Sequence, residues 1–171
     1  FTYWVSDGLA ANGAGAEIPA TVTLTLLAVN DLPVVTGETV NTNEDTTLLF
    51  DPAQLLANDS DVDVGTDGQV LRISAVGGAS NGTVTMQANG DVRFTPTANY
   101  HGPAEFSYVV SDGIGGTTDA KVSLAITAVN DAPVVVGETL TATEDTPFYI
   151  EVASLLSNDS DADTATDGQV L

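Results

Sequence analysis

The chain has 171 residues, of which 43% are hydrophobic, and it carries 24 acidic residues against three basic ones, Arg72, Arg93 and Lys121, for a formal net charge of −21. That apolar content suits a packed core rather than a disordered acidic tail. The charge excludes nucleic acid and anionic lipid as partners, since both are bound through Lys and Arg, and leaves cations as natural ones.

Cysteine is absent, so neither a disulfide framework nor a thiolate metal site can form. Neither an apolar run of membrane-spanning length nor a leader pattern is present. A start at Phe1 rather than Met reads as a slice of a longer protein.

In chain order, Phe1–Gly8 (FTYWVSDG) reads as a strand with Phe1 and Tyr3 on one face and Trp4 on the other, ending in Ser-Asp-Gly at Asp7. An Ala/Gly-rich loop follows over Leu9–Glu17, then Asn30-Asp31 before Pro33, Glu44-Asp45, and a helical turn over Pro52–Leu56. Next comes an aspartate run, Asn58-Asp59-Ser60-Asp61-Val62-Asp63. Gly82–Phe94 reads as a hairpin in which Val84 and Met86 face Val92 and Phe94 across Asn89-Gly90, a pair that accepts the positive φ angles of a type I′ turn. Alternation marks strands at Phe106, Tyr108 and Val110, ending at Asp112-Gly113, and at Val122, Leu124 and Ile126.

The order then begins again. Ala28–Leu71 aligns without gaps onto Ala128–Leu171, and Phe1–Gly8 matches Phe106–Gly113. The period of about 100 residues divides the chain into the C-terminal part of one repeat (1–29), a complete repeat (30–129) and the N-terminal part of the next (130–171). About seven short strands in about 100 residues predict an all-β fold of tandem immunoglobulin-like sandwiches. Strands equivalent to 72–105 are lacking from both end fragments, so these two cannot complete one another.

Three aspartates at alternate positions offer several hard oxygens, the chemistry of Ca²⁺, which takes six to eight such ligands. An EF-hand opens with the same spacing but requires Gly at position 6 and Glu at position 12, where this chain has Val64 and Val70. Further ligands must therefore come from elsewhere in the fold. A solvated acidic turn is the bland alternative. His101, the single histidine, reads as a turn residue with no Ser, Cys or second His beside it to form a catalytic set. No enzyme is expected, since the acidic words recur in every repeat whereas an enzyme needs one cleft.

These words resemble those of cadherin repeats: an early Glu, an Asp-x-Asp loop, an Asp-x-Gly near the last strands and an Asn-Asp-x-Pro linker. The chain is similar to the cadherin-like tandem repeats of large RTX-type bacterial surface adhesins, over its whole length. The resemblance implies Ca²⁺ between consecutive repeats. At the junction near residue 130 the implied ligands are Glu44, Asn130, Asp131, Asp159, Asp161 and Asp163. Near residue 30 they are Asn30, Asp31, Asp59, Asp61, Asp63 and Asp112, while Glu144 would serve the next junction and Asp7 the previous one. The cadherin word Leu-Asp-Arg-Glu has no counterpart in Pro96–Gly102, which implies fewer or weaker ions, and Asp45 and Asp145 are open to ligation or to local capping. The implied function is a calcium-stiffened extender of an extracellular or cell-surface adhesin, its partners the neighbouring repeats and, through other modules, a host or biofilm surface. Rival readings are glycan- or protein-binding repeats, with Trp4 and Leu9–Glu17 as contacts, and the stalk of a secreted enzyme.

Overall fold

The computed structural model describes residues 1–6, 17–65 and 68–163. The chain forms two compact units, Phe1–Asn30 and Asp31–Leu171.

In the first unit, β1 (Thr2–Ser6) and β2 (Glu17–Thr21) make an antiparallel ribbon with Thr2 opposite Thr21 and Ser6 opposite Glu17. Val22 N–H donates to the Phe1 carbonyl at 2.9 Å and closes one end of it. Trp4 is 62% exposed. Asp7 and most of the Leu9–Glu17 loop lie outside the described residues.

The second unit contains an all-β sandwich. Its elements are β3 (Glu38–Asn43), β4 (Leu48–Phe50), α1 (Pro52–Leu55), β5 (Arg72–Ser80), β6 (Gly82–Met86), β7 (Val92–Pro96), β8 (Gly102–Ser111) and β9 (Thr117–Thr127), with α2 (Val152–Leu155) beyond them. One sheet has the order β3-β9-β8-β5 and the other β4-β7-β6. The alternating residues of β8 and β9 point inward: Phe106, Tyr108, Val110, Val122, Leu124 and Ile126 are all buried. Across the gap Phe106 meets Phe50 and Phe94, with ring centroids 5.7 and 5.6 Å apart, so that one aromatic joins both sheets. Such offset ring pairs add about 0.5–1.5 kcal/mol beyond the area they bury.

Local chemistry accounts for the connections. α1 is a single turn that begins where Asp51 caps it, accepting from Ala53 N–H at 2.8 Å, while Gln54 bonds back to Asp51 N–H at 3.1 Å. The hairpin has the expected register, Val84 opposite Phe94 and Met86 opposite Val92. Its turn differs from the expected type I′: of Asn89 and Gly90 only Gly90 has positive φ (94°). Asn89 instead bonds Asp91 through its side chain, and Gly90 N–H donates to Gln87 O at 3.0 Å. This arrangement suits the five residues that separate β6 from β7.

Candidate functional site

Strand direction decides which acidic words can meet. β3 runs parallel to β9, with Glu38 opposite Val122 and Asn43 opposite Thr127. Glu44, one residue past β3, therefore arrives beside the start of the linker at 128–131. β8 is antiparallel to β9 and begins with Gly102 opposite Ile126, so the turn at 97–101 reaches the same end. Ser111 pairs with Thr117 at the other end, where Asp112 lies, and Thr118 Oγ1 donates to Pro33 O there at 2.8 Å.

At the linker end Glu44 is buried, only 5% exposed. Its backbone N–H donates to Thr127 O at 2.9 Å, and its Oε1 accepts from Val129 N–H at 2.6 Å. Its Oε2 stands 4.0 Å from His101 Nδ1. Asp131 N–H donates to Asp163 Oδ2 at 2.6 Å, and Asp163 N–H to Asp161 Oδ1 at 2.8 Å. Asn130 folds its amide onto the Asp131 carbonyl at 2.6 Å. Loss of water, then the charges of Asp163, Asp45, Glu44 and Asp161, raise the Asp131 carboxyl above its ordinary range. The structure thus gathers Glu44, Asp131, Asp161 and Asp163 around the linker.

The first copy repeats this geometry. Asp31 N–H donates to Asp63 Oδ2 at 2.8 Å and Asp63 N–H to Asp61 Oδ1 at 2.8 Å. Val34 and Ser60 bridge as Val134 and Ser160 do. Because both copies hold the same bonds, the aspartate loop owes its shape to residues within the run and to the linker strand beside it.

Within each run the first aspartate faces differently. Asp59 Oδ1 accepts from Thr36 N–H at 2.9 Å, and Asp159 Oδ1 from Val136 N–H at 2.8 Å. Asp59 neighbours Glu38, whose carboxyl is raised by burial and, less strongly, by the Asp59 charge. Asp112 is fully buried, and its carboxylate accepts from the N–H groups of Ile114, Gly115 and Gly116 at 2.9–3.1 Å, closing its own turn. Glu144 is exposed, with its carbonyl accepting from Thr146 Oγ1 at 3.4 Å. Asn30 belongs to the other compact unit and is exposed there.

Two further residues complete the linker end: Asp45, which the sequence left open to ligation or capping, and Asn99, which had no role assigned from sequence. Asp45, in the left-handed region at φ 55°, accepts from Asn99 N–H at 3.1 Å. Asn99, also at φ 55°, brings its amide between Asp45 and Asp131. Asn99 and His101 both lie in Pro96–Gly102, the segment that lacks the acidic word, and an Asn beside a Tyr gives no sequence signal of a charge cluster. Elsewhere, a cavity of about 560 Å³ opens beside Glu38, lined also by Leu49, Gln54 and Asn58 and by none of the linker aspartates.

Oxygen donors of this kind suit a hard cation. The buried Oδ2 atoms of Asp59 and Asp61 lack a hydrogen-bond partner, and Asp131 has no ion-pair partner among the described residues. Also among the described residues, no group of three or more His, Cys, Asp or Glu side chains forms a metal-holding cluster.

A family model described as a cadherin-like domain matches residues 29–127 and 129–169. No curated protein matches the chain. Among solved structures, the human desmocollin-1 ectodomain is 17% identical with a TM-score of 0.42, covering 80% of this chain and 26% of that one. A nucleoside hydrolase-related hypothetical protein from Saccharophagus degradans, associated with carbohydrate metabolism, is 16% identical with a TM-score of 0.42, covering 58% of this chain and 26% of that one. An endo-fucoidan hydrolase of glycoside hydrolase family 107 is 18% identical with a TM-score of 0.33, covering 75% and 19%. The chain spans about a quarter of these proteins' length or less.

Proposed function

Since the chain belongs to the cadherin-like domain family, whose domains are extracellular repeats of adhesive or structural kind, we propose that it is a calcium-stiffened extender of a bacterial surface or secreted adhesin. The cation is held where one repeat meets the next. The family is typically non-enzymatic, and we assign no catalytic role.

The observation that supports this reading best is Asp131. Hydrogen bonds bring Asp163 to its backbone and Glu44 to Val129 two residues before it, and the charges of Asp163, Asp45, Glu44 and Asp161 all bear on a linker carboxylate that has no cationic partner among the described residues. At this junction the ligands would be Glu44 from the upstream repeat, Asn130 and Asp131 from the linker, and Asp161 and Asp163 from the downstream one. Asp159 braces the loop through Val136. Asn30, Asp31, Asp59, Asp61 and Asp63 would serve the preceding junction, Asp59 through the Oδ2 that its bond to Thr36 leaves unpartnered, with Asp112 as a brace, and Glu144 would serve the following one. A bound Ca²⁺ would neutralise charge and tie the segments together, and millimolar affinity suffices outside a cell.

Small-angle scattering and thermal melting of the chain, with Ca²⁺ and with chelator, test the proposal. Calcium is expected to raise the melting temperature and fix the maximum dimension, and Asp61→Ala with Asp161→Ala to reproduce the chelated behaviour. Identical curves in the two conditions would overturn it.

A further inference from the structure

Asn99 stands where three segments converge. Its backbone N–H is bonded to Asp45 Oδ1 at 3.1 Å. With the amide turned to satisfy its neighbours, Nδ2 donates to Asp45 Oδ2 and to Asp131 Oδ2, each at 3.2 Å. An amide NH₂ has two hydrogens, so it can serve both carboxylates at once. One side chain thereby joins an acid of the upstream repeat to an acid of the linker, offsetting repulsion that otherwise pushes them apart.

The opposite orientation has a different meaning. If the amide oxygen takes that place, three oxygens face one another with no hydrogen among them, an arrangement that a cation satisfies and a hydrogen bond cannot. Asn and Gln offer a donor and an uncharged oxygen acceptor from one planar group, whereas the acceptor of a neutral His is a nitrogen, which a hard cation disfavours. Gln is longer and lacks the tolerance for positive φ that Asn shows at this turn.

We propose that Asn99 is the exchangeable ligand of the junction. Without a cation its NH₂ braces Asp45 and Asp131; with one, its amide turns over and presents Oδ1 as a neutral oxygen ligand. Asp45 then belongs to the ligand neighbourhood as well. This inference rests on the calcium reading above, and it takes the role of the acidic word missing from Pro96–Gly102.

The test uses the full chain and the variants Asn99→Asp and Asn99→Gly. Glycine keeps the positive φ without strain, and the entropy it adds to the unfolded chain lowers melting equally with and without Ca²⁺, so the loss of the amide is read in the affinity. Calorimetric titration with CaCl₂ and melting in chelator are measured for each. Asn99→Gly is expected to bind Ca²⁺ about tenfold more weakly, in the range for loss of a supporting group at a metal site, and to melt lower in chelator. Asn99→Asp gives the crossed signature: tighter Ca²⁺ binding from the added charge, with a lower melting temperature in chelator from the lost donor. A purely structural Asn99 would shift melting equally with and without Ca²⁺ and leave affinity unchanged, which overturns the inference, as does weaker binding by Asn99→Asp. If the unaltered chain binds no Ca²⁺, the underlying reading fails; if it binds and both variants match it, this inference alone fails.

Discussion

Val129 donates its backbone N–H to Glu44 Oε1 at 2.6 Å although 85 residues separate them. The bond fixes the first residues of the linker to the end of β3, and it leaves Oε2 turned toward His101. Glu44 therefore has two separable tasks, one as a hydrogen-bond acceptor and one as a charge.

Substitution separates them. Glu44→Gln keeps an acceptor for Val129 and removes the charge, so melting in chelator should stay near that of the unaltered chain while Ca²⁺ affinity falls. Glu44→Ala loses both and should also cost about 1.5–3 kcal/mol in chelator, the range for a hydrogen bond to a charged group. Calorimetry with CaCl₂ and urea unfolding in chelator read the two effects. Undiminished calcium affinity in Glu44→Gln would remove Glu44 from the ligand set.

Asp112 is expected to behave differently. Its buried carboxylate holds three backbone N–H groups of the 113–116 turn, so Asp112→Ala should cost about 3 kcal/mol or more. The cost should be the same in chelator and in calcium when followed by urea unfolding. A loss confined to calcium-containing buffer would make Asp112 primarily a ligand.

Glu38 supplies a pH dependence. Burial raises its carboxyl above 4.5, with the Tyr108 hydroxyl opposing and Asp59 reinforcing. A raised value means that the folded state holds the proton more tightly than the unfolded one. The contribution of Glu38 is then most favourable below about 4.5, weakens as pH rises through the folded value, and is a fixed penalty above it. Glu38→Gln, which can still accept from Tyr108, should melt higher than the unaltered chain at pH 7 and show no advantage below pH 4.5. Melting curves in chelator across that range decide the matter, and a lower melting temperature at pH 7 would contradict it.

Gly82 serves as a control for folding alone. A Cβ at this position would meet the Phe94 ring and, at 2.7 Å, the Thr95 carbonyl. Gly82→Ala is thus expected to destabilise the sandwich by about 1–3 kcal/mol, as overpacking does. Calcium affinity measured below the melting transition should not change. A shift in affinity would mean that the hairpin and the linker end are energetically coupled.

Much of this could be read along the chain. Period-2 alternation marked β8 and β9 and their inward faces because side chains on a strand alternate strictly, and the repeat of about 100 residues marked the aspartate words because identical sequence recurs at a fixed distance. The hairpin register was likewise legible, though not its turn, since Asn89 bonds Asp91 rather than adopting positive φ.

What spacing does not reveal is direction. Only the parallel pairing of β3 with β9 brings Glu44 to Val129, and only the antiparallel start of β8 brings Asn99 to Asp131. The aspartate run also looked like one row of oxygens in sequence, yet Asp59 bonds Thr36 while Asp63 bonds the linker at Asp31. Backbone N–H groups from outside the run orient each carboxylate. The sequence by itself determined which residues could carry charge and how often they recur, and the tertiary structure decided which of them share an end of the sandwich, because strand order and direction are set by long-range hydrogen bonds.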